Sequence, residues 1–203
     1  MIAGMALFLF GTSQAQEVTF GVKTGLNLKT LYGDGMLVDI GYTPGFMIGG
    51  FAQIPISSKL FLQPELMYST QGASDDAEAE VFPDVFQKVE ESINLSYINI
   101  PILLDYHFTE NICIKSGPQL GLLMKSQIEK DDFGIDITEY SNRIDFAWVL
   151  GSGYELESGI FFDLRYNLGL RHIFEEAGEG EDGIQSEGDV KNEVIQMAVG
   201  YHF

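Results

Sequence analysis

The residues that could carry chemistry in this sequence are few and scattered. Gly178-Glu179-Gly180-Glu181-Asp182-Gly183 has the G-x-G-x-x-G spacing of a dinucleotide loop. Such a loop works because it opens a helix and turns backbone N–H groups toward a pyrophosphate. Here no helical pattern follows, and Glu179, Glu181 and Asp182 would repel phosphate, so the motif is not read as a nucleotide site. His107, His172 and His202 form no H-x-x-x-H or H-E-x-x-H pair, so no metal centre is expected. His172 lies close to Glu175 and Glu176, yet a deacylating triad also needs a serine, and none stands in an obvious partner position. Neither catalysis nor a cofactor is expected.

Cys113 is the single cysteine, which excludes an intramolecular disulfide. At a strand position it reads as a small packed residue rather than a nucleophile. The acidic clusters Asp75, Asp76, Glu78, Glu80, Asp84, Glu90, Glu91 and Glu129, Asp131, Asp132, Asp136, Glu139 lack the D-x-[DN]-x-[DN]-G spacing of a calcium loop. They read as solvated, self-repelling surface. A formal net charge of −19 argues against nucleic acid as a partner, because phosphates need Lys and Arg. The 45% hydrophobic content argues against disorder of the whole chain.

The elements that position these residues follow from a period of two. Between Arg143 and Arg171, Ile144, Phe146, Trp148, Leu150, Tyr154 and Leu156 share one parity, and Asp145, Ala147, Val149, Gly151, Gly153 and Glu155 the other. After Glu157-Ser158, Ile160, Phe162, Leu164, Tyr166, Leu168 and Leu170 alternate with Phe161, Asp163, Arg165, Asn167, Gly169 and Arg171. This is a β-hairpin, with strands about twice the usual 5–6 residues. The same pattern predicts strands near 18–28, 42–56, 60–69, 93–108, 112–126 and 195–203, eight in all. Pro64 predicts a bulge or bend in the third. In the acidic stretch 72–92, Phe82, Val85, Phe86 and Val89 recur at helical spacing, which allows a short amphipathic helix.

Long connections (30–41, 73–92, 127–141, 174–190) alternate with short ones centred on Ser57, Glu110 and Glu157. Up-and-down topology then places all long loops at one end and both termini at the other. That is the layout of an outer-membrane barrel with long extracellular loops and short periplasmic turns. A soluble barrel would turn the apolar parity inward, but an eight-stranded bore has little room for so many Ile, Leu, Phe, Tyr and Trp side chains. The membrane reading puts these against lipid. It fills the bore with Gly, Ala, Lys23, Gln63, Glu65, Asp105, Lys115, Gln119, Lys125, Asp145, Glu155, Asp163, Arg165, Asn167 and Arg171. Asp145, Glu155, Asp163 and Arg165 are expected to pair across neighbouring strands, and the bore to be closed to ions. Tyr42, Tyr68, Tyr106, Trp148, Tyr154, Tyr166, Tyr201 and Phe203 are candidates for interfacial girdles.

Residues 2–11 form an apolar run followed by Ser13-Gln14-Ala15, too short to span a bilayer as a helix. This predicts a signal peptide over residues 1–15, cleaved after Ala15, and a barrel domain over 16–203. A basic n-region is missing, so the true start is expected upstream of Met1.

Several segments resemble the Bacteroidota outer-membrane β-barrel proteins of the "porin family", PorT-like type. They are Phe20-Gly21-Val22-Lys23-Thr24-Gly25-Leu26-Asn27, Leu62-Gln63-Pro64-Glu65-Leu66-Met67-Tyr68, Tyr97-Ile98-Asn99-Ile100-Pro101, Gly117-Pro118-Gln119-Leu120-Gly121, Arg165-Tyr166-Asn167-Leu168-Gly169-Leu170 and the terminal Gly200-Tyr201-His202-Phe203. The resemblance covers nearly all of the mature chain. It implies an all-β, eight-stranded antiparallel up-and-down transmembrane barrel in a Gram-negative outer membrane, in contact with lipid and lipopolysaccharide. It also implies that the barrel-assembly machinery reads the C-terminal strand. It names no substrate. The expected role is structural or surface-interacting, through acidic extracellular loops; the alternative is a narrow pore or small-ligand transporter.

Overall fold

The computed structural model describes residues 17–32, 43–82, 85–130, 133–171 and 191–203. Nine strands run in chain order: β1 (Thr19–Tyr32), β2 (Thr43–Pro55), β3 (Leu60–Phe82), β4 (Val85–His107), β5 (Ile112–Lys130), β6 (Phe133–Asp136), β7 (Ile144–Glu155), β8 (Ile160–Gly169) and β9 (Lys191–His202). Eight of them form the wall. Each pairs antiparallel with the next, β5 passes directly to β7, and β9 returns to β1 from Gly21↔His202 to Tyr32↔Lys191. The ring is therefore closed and leaves no free edge within the barrel. The four-residue β6 pairs only with the end of β5, from Gln127↔Asp136 to Lys130↔Phe133.

The short turns are built by side chains that satisfy their own backbone. Ser57 Oγ accepts from the N–H groups of Lys59 and Leu60. Thr109 Oγ1 accepts from those of Asn111 and Ile112. The third turn uses Gly159 at φ +82°, a left-handed position that costs glycine nothing. These turns set the register, so β4 meets β5 as Asp105↔Lys115 and His107↔Cys113, and β7 meets β8 as Gly151↔Arg165 and Gly153↔Asp163.

Which parity faces out decides between membrane and water. Phe20, Leu26, Leu66, Ile102, Leu104, Phe146, Trp148, Leu150, Phe162 and Leu164 are all exposed, Phe20 and Leu66 at 60%. Their neighbours Lys23, Asn27, Gln63, Glu65, Asp105, Lys115, Asp163 and Arg165 are all buried, none above 4%. A water-soluble barrel has the opposite arrangement. An apolar belt around the whole wall far exceeds the few hundred Å² that soluble proteins leave uncovered, and it matches a lipid-facing surface. Tyr106, Phe108, Tyr154, Tyr201 and Phe203 stand exposed near the short-turn rim, with Tyr106–Phe108 and Tyr201–Phe203 packed edge to face. Among the described residues no helix is long and apolar enough to cross a membrane; the strands do the crossing.

Four expectations need correction. The stretch 72–92 is not helical. β3 and β4 stay paired from Ser74↔Ser92 to Glu80↔Phe86, and Phe82 and Val85 face each other across the tip. Four apolar residues at helical spacing cannot outweigh a ladder already propagating from the barrel. Pro64 causes no bulge, since Pro64↔Ile102 and Met67↔Asn99 keep one register, but pairing is interrupted beside it on both sides: the β4 ladder skips Glu65 and Leu66, and the ladder to β2 breaks between Phe51↔Glu65 and Ile54↔Leu62. Lys125 does not enter the bore. The register shifts where Ser96 pairs with Lys125 and Tyr97 with Leu123, so the extra residue of a β-bulge leaves Met124 and Lys125 both exposed and turns Ser126 inward. Arg171 lies beyond the end of β8, exposed, and its guanidinium donates to Asn142 Oδ1. The signal peptide, the loops 33–41 and 174–190, Tyr42, His172 and the Gly178–Gly183 motif lie outside the described residues.

Candidate functional site in the bore

Ring order explains why one group of charges meets. Lys23 sits on β1, Glu65 on β3, Lys115 on β5, and Asp163 and Arg165 on β8. In the order β1-β2-β3-β4-β5-β7-β8-β9, each of these strands is two places from the next, and β3 stands four places from β8, across the bore. Side chains from four walls therefore converge on the axis at one level.

The contacts are dense. Arg165 donates from Nη1 to Glu65 Oε2 and from Nη2 to Glu65 Oε1, both at 2.8 Å, a bidentate bridge across the lumen. Its Nη2 also lies 2.6 Å from Asp163 Oδ2. Lys23 Nζ is 2.7 Å from Glu65 Oε2 and 3.4 Å from Asp163 Oδ2. Lys115 Nζ is 3.1 Å from Asp163 Oδ1 and 3.9 Å from Asp105 Oδ2. Gln63 Nε2 donates to Glu65 Oε1 at 2.6 Å, and Gln53 Nε2 donates to Asp105 Oδ2 at 3.0 Å. Three cations thus face three carboxylates, with side-chain exposures between 0% and 4%. Burial of these charges is tolerable only because each is paired and further hydrogen-bonded.

Small residues make room for this plug. A Cβ on Gly151 would stand 2.8 Å from Arg165 Cγ and 2.9 Å from the Leu164 carbonyl oxygen. Below the charges, toward the short turns, the rings of Phe51, Phe161 and His202 close on one another at 4.8–5.5 Å. Above them, Gln196 donates to Asn27 Oδ1, Asn27 donates to Ser69 Oγ, and Lys29 reaches the Gln71 carbonyl and Asn94 Oδ1. Tyr97, Leu95, Leu103 and Val149 are buried on the same inward face.

Of the bore residues anticipated from parity, Lys23, Gln63, Glu65, Asp105, Lys115, Gln119, Asp145, Asp163, Arg165 and Asn167 are buried inside. The expected pairing among Asp145, Glu155, Asp163 and Arg165 holds only for Asp163 with Arg165. Asp145 lies higher and accepts from Asn192 Nδ2 at 3.4 Å. Glu155 lies at the short-turn rim, 3.8 Å from His202 Nε2. The principal partner of Arg165 is Glu65, which sequence separation hides. Cys113 is buried as expected, but directly opposite His107.

A family model described as the outer membrane protein beta-barrel domain matches residues 13–175. No curated protein matches the chain. Among solved structures, the chain is similar to Ail, the attachment invasion locus protein of Yersinia pestis, at 14% identity and a TM-score of 0.51, over 92% of this chain and 99% of that one. It is also similar to Neisserial surface protein A (NspA), at 12% identity and a TM-score of 0.59, over 93% of this chain and 100% of that one. At such identities the likeness concerns the fold. The family match spans most of the chain and agrees with the closed, lipid-facing eight-stranded wall: this chain belongs to the outer membrane β-barrel domain family and resides in the outer membrane.

Proposed function

We propose that this protein is a closed barrel whose role is structural or surface-interacting, exercised by its long connections rather than by passage through its bore. The carrying observation is the plug: Arg165 bridges Glu65 across the lumen while Lys23, Lys115 and Asp163 occupy the remaining quadrants. No solute passes without breaking several buried ion pairs at once. The β3–β4 hairpin continues past Ser74 to Phe82, roughly 30 Å of extra strand at about 3.3 Å per residue. Its sequence is rich in carboxylates: Asp75, Asp76, Glu78, Glu80, Glu90 and Glu91.

Charge rules its counterparts: the acidic composition favours cationic or cation-bridged surfaces. One of the solved Ail structures is a complex with the heparin analogue sucrose octasulfate. A chain with a net charge of −19 is poorly suited to such a polyanion. Lipid and lipopolysaccharide around the belt, recognition of the C-terminal strand by the assembly machinery, Bacteroidota PorT-like kinship and the absence of catalysis belong to the same reading. The test is planar-bilayer conductance of refolded protein, with crosslinking from native outer membranes of the wild type and of a variant lacking residues 75–91. Silent bilayers, with crosslinked partners lost in the deletion, support the proposal. Steady large conductance establishes the transport alternative instead.

A further inference from the structure

At the periplasmic mouth of the barrel three unlike ligand groups meet. Asp105 and His107 are two apart on β4 and so share the inward face, and the turn at Thr109–Asn111 brings Cys113 of β5 directly opposite His107. One carboxylate oxygen, one imidazole nitrogen and the thiol sulfur all lie within 4.8 Å of one another. His107 Nε2 is 3.3 Å from Asp105 Oδ2. We propose that Asp105, His107 and Cys113 form a site for a thiophilic divalent cation of the zinc class.

Four features support the assignment. The donor set mixes S, N and O, which suits zinc and not calcium or magnesium, whose sites are built from oxygen. Tetrahedral zinc bonds of about 2.0–2.3 Å put ligand atoms roughly 3.3–3.8 Å apart, so the site closes by small side-chain rotations. Asp105 is fully buried, and its Oδ1 has no hydrogen-bond partner among the described residues, while Oδ2 is held by Gln53. The cavity that Asp105, His107, Cys113, Glu155 and His202 line measures about 10 Å³, room for one ion or one water. Three protein ligands leave a fourth position, to be taken by water or by the Glu155 carboxylate.

Charge is the objection to meet, because Lys115 Nζ lies 3.9 Å from Asp105 Oδ2. That ammonium is committed to Asp163 at 3.1 Å and rests over the Phe161 ring, 5.3 Å from its centroid. In this half of the bore Glu65, Asp105, Glu155 and Asp163 face Lys23, Lys115 and Arg165. Metal binding deprotonates the Cys113 thiol, and the proton leaves through the mouth, where His107 and Glu155 are partly open to solvent. Four carboxylates and one thiolate then balance three side-chain cations and one divalent ion.

The test uses folded full-length protein in detergent, stripped with chelator and titrated with Co²⁺. A thiolate-to-cobalt charge-transfer band and the intense visible bands of tetrahedral Co²⁺ are expected at one ion per chain, with Zn²⁺ displacing them. His107→Gln and Cys113→Ser should each weaken binding at least about 100-fold, the upper end of what losing even a supporting group costs. A measurement on the wild type keeps the proposal falsifiable if a variant fails to fold: Zn²⁺ should slow alkylation of Cys113 by a small maleimide at least tenfold, and Mg²⁺ should not. A Co²⁺ spectrum without the charge-transfer band, or alkylation unchanged by Zn²⁺, overturns it.

Discussion

Arg165→Met removes the guanidinium and leaves a side chain of similar reach. In the wild type that group makes two 2.8 Å bonds to Glu65 and a 2.6 Å contact with Asp163, at 2% exposure. In the variant three buried carboxylates, Glu65, Asp105 and Asp163, face two ammonium groups, Lys23 and Lys115. Breaking a buried pair by removing one partner costs about 3–5 kcal/mol, because the other charge stays desolvated. Lys23 at 2.7 Å from Glu65 and Lys115 at 3.1 Å from Asp163 retain part of the compensation, which places the expectation at the lower end, about 3 kcal/mol. Adding Glu65→Gln restores equal numbers of cations and carboxylates, so the double variant should recover more than half of the loss. The assay is guanidinium unfolding in phospholipid vesicles, followed by the fluorescence of Trp148, the only tryptophan. A single variant within about 1 kcal/mol of the wild type, or a double variant no better than the single, would show that water already screens these charges and would refute the plug.

Lys125→Ala should leave stability within about 0.5 kcal/mol of the wild type, whereas Lys115→Ala should cost several times more; equal losses in the same unfolding assay would contradict the bulge that turns Lys125 outward. Gly151→Val should abolish heat-modifiable migration in electrophoresis, since its Cβ alone would press on Arg165 and the Leu164 carbonyl. Deleting Phe203, 74% exposed beside Tyr201, should lower the assembled fraction in outer membranes by severalfold; undiminished surface exposure would argue against the terminal strand as an assembly signal.

The wall of the barrel was legible because its information is local. From Ile160 to Leu170 every second residue is bulky and apolar, and each turn is short enough that Ser57, Thr109 or Gly159 settles the register alone. Parity then sorts inside from outside. It fails where the chain stops counting by two. The bulge at Lys125 inserts a residue that alternation cannot register, and β8 ends at Gly169, so Arg171 lies past the point where parity has meaning. The acidic stretch after Gly72 misled for a related reason: helical spacing is also local, but the β3–β4 ladder that overrides it draws its stability from the barrel below.

The interior is a different problem, because its contacts are set by the closed ring rather than by neighbours in sequence. Arg165 was expected to find its partner on an adjacent strand, yet a luminal side chain points away from its neighbours and toward the opposite wall. In an eight-membered ring the opposite wall lies four strands away, and counting from β8 that strand is β3, which carries Glu65. Strand count and parity together therefore imply cross-lumen pairing as soon as the barrel is known to be closed; only the level along the axis needs the structure. The same arithmetic applied to a single turn would have paired His107 with Cys113, six residues further along the chain. A motif search reads along one strand, whereas a barrel assembles its polar sites across strands, so cross-strand register is the signal by which such sites are to be sought.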